Sequence, residues 1–147
     1  MASIVTNVDI ARPPDEVFSY VTDLSRFGEW QAGVVSGHTE GDGAPEVGTR
    51  CTMTRRIGGS ERTTTSEITE IDPPSAWAIR GIDGPIRARV AVTVEPRQGG
   101  QQAHVTISLD FSGHGIGKLL LPVVVRQAQK EVSQNSQKLR QRLERGG

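Results

Sequence analysis

Through the first 113 residues, apolar and polar positions mostly alternate with a period of two. Residues 2–10, ASIVTNVDI, follow this pattern and predict a first strand. Between residues 33 and 113 the pattern returns in six segments, separated by clusters of turn-forming residues such as residues 41–48, GDGAPEVG. Short alternating segments joined by tight turns predict an antiparallel sheet rather than strands that alternate with helices.

The pattern changes to a helical period between the first strand and the rest of the predicted sheet. Residues 13–21, PPDEVFSYV, place two prolines and two acids before apolar residues at helical spacing, as expected where a helix begins. Residues 23–30, DLSRFGEW, predict a second short helix, with Asp23 or Ser25 as its cap and Gly28 as its end.

A long helix is predicted over residues 118–145. Its apolar residues recur at helical spacing and form one stripe that faces the interior: Leu121, Val125, Ala128, Val132, Leu139 and Leu143. Pro122 is tolerated only in the first turn, so we expect the helix to begin near residue 117. Leu119 and Val123 fall on the opposite face. We favour an irregular first turn as the reason, and the alternative is an apolar patch exposed for a partner or a membrane surface.

The order of these elements is strand, two short helices, six strands and long helix. It predicts an α+β fold, in which a seven-stranded curved antiparallel sheet wraps around the long C-terminal helix. We see no linker or internal repeat, so residues 1–147 form a single predicted domain. A curved sheet and one helix do not always fill the space between them, and we therefore expect a pocket there.

Composition excludes several classes of protein. Hydrophobic residues make up 35% of the chain and charged residues 23%, which is typical of neither a disordered nor a membrane protein. The longest apolar run is interrupted by Pro122 and is too short to span a bilayer. Cys51 is the only cysteine and no secretory leader is visible, so we expect a cytoplasmic protein.

The net charge is zero, but residues 121–147 contain six Lys or Arg and only two Glu. We interpret this basic end as a solvated helix terminus, whose cations favour the negative end of the helix dipole. The alternative is contact with an anionic lipid or a nucleic acid. Because the chain lacks a dense basic and aromatic surface, no nucleic acid is expected as a partner.

Three segments together resemble the START-like (SRPBCC) superfamily, specifically its bacterial polyketide cyclase/dehydrase-like members. They are residues 11–30, ARPPDEVFSYVTDLSRFGEW, residues 67–79, EITEIDPPSAWAI, and the Gly-rich start of the last helix within residues 113–144. One departure is that the proline often found soon after the tryptophan is missing, since Trp30 is followed by Gln31.

The resemblance implies a helix-grip fold with a deep cavity between the sheet and the C-terminal helix. Family members bind lipids, sterols, polyketides, quinones or hormones, some are aromatase/cyclases, and others act on partners such as the ribosome. Because the catalytic groups differ between subfamilies, no catalytic residue is carried over to this chain.

Most of the aromatic residues fall within a short stretch, and the predicted fold suggests why. If the two short helices close one end of the cavity, Leu24, Phe27 and Trp30 form the stopper, while Phe18 and Tyr20 anchor it. Core packing is the simpler role for Phe18 and Tyr20, and we favour contact with the cavity for Trp30.

Strand alternation predicts a mostly aliphatic inner surface with three polar groups, Arg55, Thr64 and Ser66. A guanidinium beside two hydroxyls suits a carboxylate or a phenolate. The alternative, which we favour, is that Arg55 extends past the strand end to water. The predicted ligand-binding residues are Leu24, Phe27, Trp30, Met53, Arg55, Thr64, Ser66, Trp77, Ile79, Val92, Ile107, Leu109, Phe111, Val124, Val125 and Ala128.

Residues that signal catalysis or cofactors are sparse. His38, His104 and His114 are scattered, so neither a metal site nor a cofactor is predicted. Cys51 is interpreted as a buried apolar side chain rather than a nucleophile. We identify no inward carboxylate and no catalytic residue, although general acid–base catalysis needs such a group.

The sequence therefore favours one function over two alternatives. The favoured function is the binding of a small hydrophobic ligand of lipid, polyketide or aromatic type between the sheet and the C-terminal helix, by a monomer or homodimer. The first alternative is a polyketide cyclase/dehydrase-type enzyme on the same scaffold. The second is a partner-binding protein that uses the basic helix end and the apolar residues 119–125.

Overall fold

The computed structural model describes residues 2–57 and 59–145. Its elements are strand β1 (Ala2–Ile10), helix α1 (Pro14–Val21), a 3-10 helix (Leu24–Glu29), strands β2 (Val34–Thr39), β3 (Arg50–Ile57), β4 (Ser60–Asp72), β5 (Ala76–Gly81), β6 (Ile86–Arg97) and β7 (Gln102–Gly113), and helix α2 (Gly117–Glu144). The strands form one antiparallel sheet of seven in the order β1-β7-β6-β5-β4-β3-β2. The predicted α+β fold is confirmed.

The strand register shows which side chains share a face of the sheet. Ile68 pairs with Ile79, Ile79 with Val90, Val90 with Leu109, and Leu109 with Ile4, so one apolar row crosses five strands. Paired residues in an antiparallel sheet point to the same side. This row and its neighbours of equal parity form the inner face, which packs against α2 at the β1 and β7 edge.

At one end, the interior is closed by the last turns of α2. Leu139 and Leu143 are buried there, together with Ile10 at the end of β1. The Arg12 Nε donates a hydrogen bond to the Leu143 carbonyl at 2.8 Å, and the Ala11 amide donates to Glu144 Oε2 at 2.9 Å. These bonds fix the end of the helix against the end of β1, because helix-terminal carbonyls otherwise need water as their partner.

At the other end, the first half of α2 is less deeply buried than its last turns. The residues of its first half that face the sheet are only half-buried: Leu121, Val124, Val125 and Ala128. The β3–β4 and β5–β6 turns and the β7–α2 connection all lie at this end of the sheet. We call it the open end.

The start of α2 differs from expectation in one respect. The helix begins at Gly117, as predicted, but it continues as a regular helix through Pro122, which lies in the second turn. Leu119 and Val123 therefore point away from the sheet, with 80% and 65% of their surface exposed. The alternative prediction of an exposed apolar patch is therefore confirmed. The entry to the helix is also tightened, because the Lys118 and Leu119 amides donate to the carbonyls three residues earlier.

A smaller difference concerns the 3-10 helix. Asp23 is its cap, since the Asp23 Oδ1 accepts a hydrogen bond from the Ser25 amide at 3.0 Å. The helix runs past Gly28 to Glu29, so the prediction that Gly28 ends it is wrong. Gly28 carries no positive φ, and no left-handed turn is formed there.

The start of α2 lies directly on the β5–β6 turn. The His114 amide donates to the Pro85 carbonyl at 2.8 Å, and a Cβ added to Gly117 collides with that same backbone. We expect Gly117→Ala to destabilise the fold by about 1–3 kcal/mol, because either the helix or the turn must shift. Thermal unfolding should then show a melting temperature several degrees lower, whereas Gly43→Ala, with open space around it, should leave it nearly unchanged.

Candidate functional site

The predicted polar residues lie together on the inner face near the open end. Thr64 pairs with Met53, and Ser66 pairs with Cys51, so both hydroxyls have the same parity as the buried Ile68. All three predicted polar residues, Arg55 included, are half-buried. The structure thus places them where strand parity predicted.

Arg55 keeps some accessible surface, and its guanidinium also forms a hydrogen bond within the fold. The Arg55 Nη2 donates a hydrogen bond to the Gln31 Oε1 at 3.2 Å, across to the segment that follows the 3-10 helix. Burial lowers the pKa of Arg55, and the negative charge of Glu131 partly opposes this shift. A guanidinium stays protonated all the same, so a half-buried and partly desolvated cation lies at this site.

Glu131 faces Arg55 from the opposite layer. It lies on α2, half-buried, and accepts a hydrogen bond from the Gln127 Nε2 at 2.7 Å. Among ion pairs within 4.0 Å in residues 2–57 and 59–145, none joins Arg55 to Glu131. The two charges therefore influence each other across the interior without direct contact.

A wall of aromatic residues borders this region. Phe27 meets Trp30 edge-on with ring centroids 5.5 Å apart and meets Trp77 edge-on at 6.3 Å. All three rings are buried, as is Leu24. Such edge-to-face contacts stabilise a fixed arrangement of rings, so the 3-10 helix closes this side of the interior.

One polar atom in that wall lacks a partner. The buried Trp30 Nε1 has no hydrogen-bond acceptor in the described part of the chain, and neither does the buried Thr69 Oγ1. Thr69 lies at the bulge of β4, between Ile68 and Glu70. A buried donor without an acceptor costs about 1–3 kcal/mol, which a ligand oxygen or a water molecule would offset.

The predicted ligand-binding residues divide into two groups by burial. Those packed tightly against their neighbours are Leu24, Phe27, Trp30, Met53, Trp77, Ile79, Val92, Ile107 and Phe111. Those that keep accessible surface are Arg55, Thr64, Ser66, Leu109, Val124, Val125 and Ala128. The second group can still contact a ligand near the open end, whereas the first group forms the packed core beneath it.

Sequence reasoning missed two polar residues at this site, Gln31 and Glu131. Glu131 falls between Ala128 and Val132 of the inward stripe, and that position was the available signal for an inward carboxylate. Gln31 gave no comparable signal, because it lies in a loop whose direction depends on tertiary packing.

The described residues offer few groups for nucleophilic or metal chemistry. Burial raises the pKa of the Cys51 thiol, so this side chain is a poor nucleophile. Within the described ranges, no three His, Cys, Asp or Glu side chains are grouped closely enough to hold a metal ion. No helix in that part of the chain is both long and apolar enough to cross a membrane.

Tyr20 ties the aromatic wall to α1. Its hydroxyl donates to the Glu29 Oε1 at 2.9 Å, and the Arg26 guanidinium lies 4.8 Å from its ring centre. Burial, helped by the hydrogen bond to Glu29 and its charge, raises the pKa of Tyr20 to about 12.

The only tyrosine of the chain makes this shift measurable. In an absorbance titration we expect tyrosinate to form near pH 12 in the folded protein, about two units above the ordinary value. Because the unfolded chain ionises first, folding stability should fall as the pH rises from about 10 to about 12. Glu29→Gln should lower this pKa but leave it above 10, since burial remains. Ionisation near pH 10 with an unchanged circular dichroism spectrum would contradict the assignment.

Comparisons with known proteins agree with this geometry. Residues 1–144 match the family model described as polyketide cyclase / dehydrase and lipid transport. The uncharacterized protein Rv1546 of Mycobacterium tuberculosis is 30% identical over 115 residues, which cover 74% of this chain and 77% of that protein.

Solved structures show the same fold at low identity. The protein TTHA0849 from Thermus thermophilus superposes with a TM-score of 0.76 at 19% identity, covering 99% of this chain and 100% of that one. The Zhui aromatase/cyclase from a Streptomyces species gives 0.72 at 14% identity, covering 99% and 98%. A START superfamily protein from Mycobacterium smegmatis gives 0.74 at 14% identity, covering 97% of each chain. The chain belongs to the polyketide cyclase/dehydrase and lipid transport family.

Proposed function

We propose that this protein binds a small, largely apolar molecule that carries an anionic or carbonyl oxygen, between the inner face of the sheet and the first half of α2. The observation that supports this most directly is the Arg55 and Glu131 arrangement. Both side chains are half-buried, the charge of Glu131 acts on Arg55, and no ion pair within 4.0 Å joins them in the described residues. A ligand oxygen near Arg55 would supply the missing partner.

The energetics of Arg55 favour such a ligand. Removing a guanidinium from water costs several kcal/mol unless a charged partner or full hydrogen bonding compensates. In this protein, the neutral Gln31 supplies one hydrogen bond and Glu131 only a distant charge. An anionic oxygen would complete the bonding of the guanidinium, and the Thr64 and Ser66 hydroxyls are of the right kind to orient the same group.

The apolar part of the ligand is expected to contact the half-buried residues around Arg55. Leu109 lies on the sheet side, and Val124, Val125 and Ala128 lie on the helix side. The ligand would bury the accessible surface that each of these side chains still has. Burial of apolar area stabilises a complex by about 25 cal/mol per Å². The family description, which names lipid transport as well as cyclase and dehydrase activity, agrees with a ligand of this kind. A cytoplasmic location stays a prediction.

A second candidate is an enzyme on the same site, and the inward position of Glu131 favours it. In such an enzyme the Arg55 guanidinium would polarise a carbonyl oxygen, and the Glu131 carboxylate would take a proton from the carbon beside that carbonyl. The Zhui aromatase/cyclase shares this fold. A shared fold does not specify a reaction, so activity has to be tested on this chain itself.

Replacing Arg55 by Met tests the proposed anion contact. We expect Arg55→Met to weaken binding of anilinonaphthalene sulfonate, an apolar anionic fluorophore, by about tenfold or more, because a charge-assisted hydrogen bond contributes about 1.5–3 kcal/mol. Binding of the uncharged analogue phenylnaphthylamine should stay the same or improve. Fluorescence titration measures both.

Arg56→Met is the matched control for this experiment. Arg56 is the next residue on β3, is exposed on the opposite face and pairs with Glu61 at 2.9 Å. It should leave both affinities unchanged. If Arg55→Met and Arg56→Met bind the anionic probe equally well, Arg55 does not contact the ligand.

Glu131→Gln tests the opposing charge. Removing the carboxylate eliminates its repulsion of an anionic probe and leaves the positive charge of Arg55 unopposed by Glu131, so anilinonaphthalene sulfonate should bind several-fold more tightly. The control is Glu70→Gln, at an exposed position on β4. Weaker binding after Glu131→Gln would show that the carboxylate positions Arg55 rather than opposing the ligand.

A further inference from the structure

The first turns of α2 carry an exposed apolar patch that the proposed ligand site does not use. We define the α2 patch as Ile116, Leu119, Leu120 and Val123, whose side chains are 67%, 80%, 46% and 65% exposed. These residues are close in sequence at the start of the helix, on the side that faces away from the sheet. Isolated exposed apolar residues are ordinary, but a contiguous group of this size usually marks a contact surface.

The α2 patch lies at the open end. Gly117 and His114 pack on the backbone of Pro85 in the β5–β6 turn, so the patch begins where the sheet ends. A surface that covered the patch would therefore also face the opening between sheet and helix.

The charges around the α2 patch have one sign. Residues 114–130 contain Lys118, Arg126 and Lys130 but no Asp or Glu. Arg126 and Lys130 follow Leu119 and Val123 at helical spacing, so the exposed face of α2 continues from apolar to basic. All three basic side chains are exposed.

The acidic residues of the adjacent turns are already engaged. The Asp83 Oδ1 accepts a hydrogen bond from the Thr65 amide at 2.9 Å, and Glu61 pairs with Arg56. Asp83 keeps its negative charge, but Glu61 is paired with a cation and the three basic residues of α2 outnumber Asp83. The surface that an approaching partner meets is therefore apolar with a mainly basic border, and its complement is an apolar layer beneath a layer of negative charge.

We propose that the α2 patch docks on the surface of an anionic lipid bilayer, with the apolar side chains inserted below the headgroups and Lys118, Arg126 and Lys130 among the phosphates. Interfacial helices bind membranes through this combination of buried apolar area and attraction to anionic lipid. A second copy of this chain fits less well, because a symmetric contact would bring the basic residues together with no carboxylate in residues 114–130 to pair with them. This goes beyond the proposed function, since docking does not depend on what the interior binds.

Vesicle flotation of the full chain tests the proposal. The wild-type protein should float with vesicles of phosphatidylglycerol mixed with phosphatidylcholine and not with phosphatidylcholine alone. Leu119→Ser combined with Val123→Ser should reduce binding by about tenfold or more, since the inserted area is lost. Lys118→Gln combined with Lys130→Gln should reduce it by roughly tenfold to thirtyfold, since each basic residue near an anionic surface contributes about 1 kcal/mol.

Matched controls separate the patch from general surface properties. Val5→Ser with Val47→Ser removes apolar side chains of similar exposure elsewhere, and Lys138→Gln with Arg145→Gln removes one charge from the second half of α2 and one from the residue that follows it. Both controls should bind vesicles like the wild type, and all variants should bind phenylnaphthylamine unchanged, which keeps this test apart from that of the ligand site.

Three outcomes would overturn the proposal. The first is a wild-type protein that stays unbound with anionic vesicles. The second is equal loss of binding in the patch variants and their controls. The third is a dimer, detected by light scattering, that Leu119→Ser with Val123→Ser dissociates, because the patch would then be an interface between copies.

Discussion

The architecture depends on a mismatch of width between its two layers. Seven strands spaced about 4.8 Å apart make a sheet roughly 30 Å across, whereas one helix with its side chains is only about 10–12 Å wide. α2 packs mainly on β1 and β7, so it covers one side of the inner face. The 3-10 helix and its aromatic residues close part of the other side, and the half-buried side chains mark the region that neither covers.

The two ends of helix α2 are packed differently against the sheet. Near its C-terminus, hydrogen bonds from Arg12 and Ala11 hold it against β1, and Leu139 and Leu143 are buried. Near its N-terminus, it approaches the backbone of the β5–β6 turn closely at Gly117, and its outer face is apolar and exposed. The C-terminal end of α2 is therefore the more firmly packed end. The candidate ligand site and the exposed apolar residues lie at the N-terminal end, as expected where a site needs accessible space.

The sequence predicted the strands and their faces well because alternation is a local property. Once the inward direction of Ile68 is known, the directions of Thr64 and Ser66 follow from the backbone pleat. The direction of a long side chain, by contrast, depends on residues that are distant in the sequence. Arg55 was expected to reach water, but its position depends on where Gln31 and Glu131 come to lie, and neither is near it in sequence. Leu119 and Val123 are exposed because they lie on the face of α2 opposite the inward stripe, as their helical spacing indicated.

The central claim is that the uncovered part of the inner face holds a guest whose oxygen meets Arg55. The most direct measurement is a crystal structure of the protein soaked with anilinonaphthalene sulfonate. The account predicts density for the probe between β3, β4 and the first half of α2, with its sulfonate within hydrogen-bond distance of the Arg55 guanidinium. Density confined to the outer surface, with Arg55 and Glu131 closed into a direct ion pair, would contradict it.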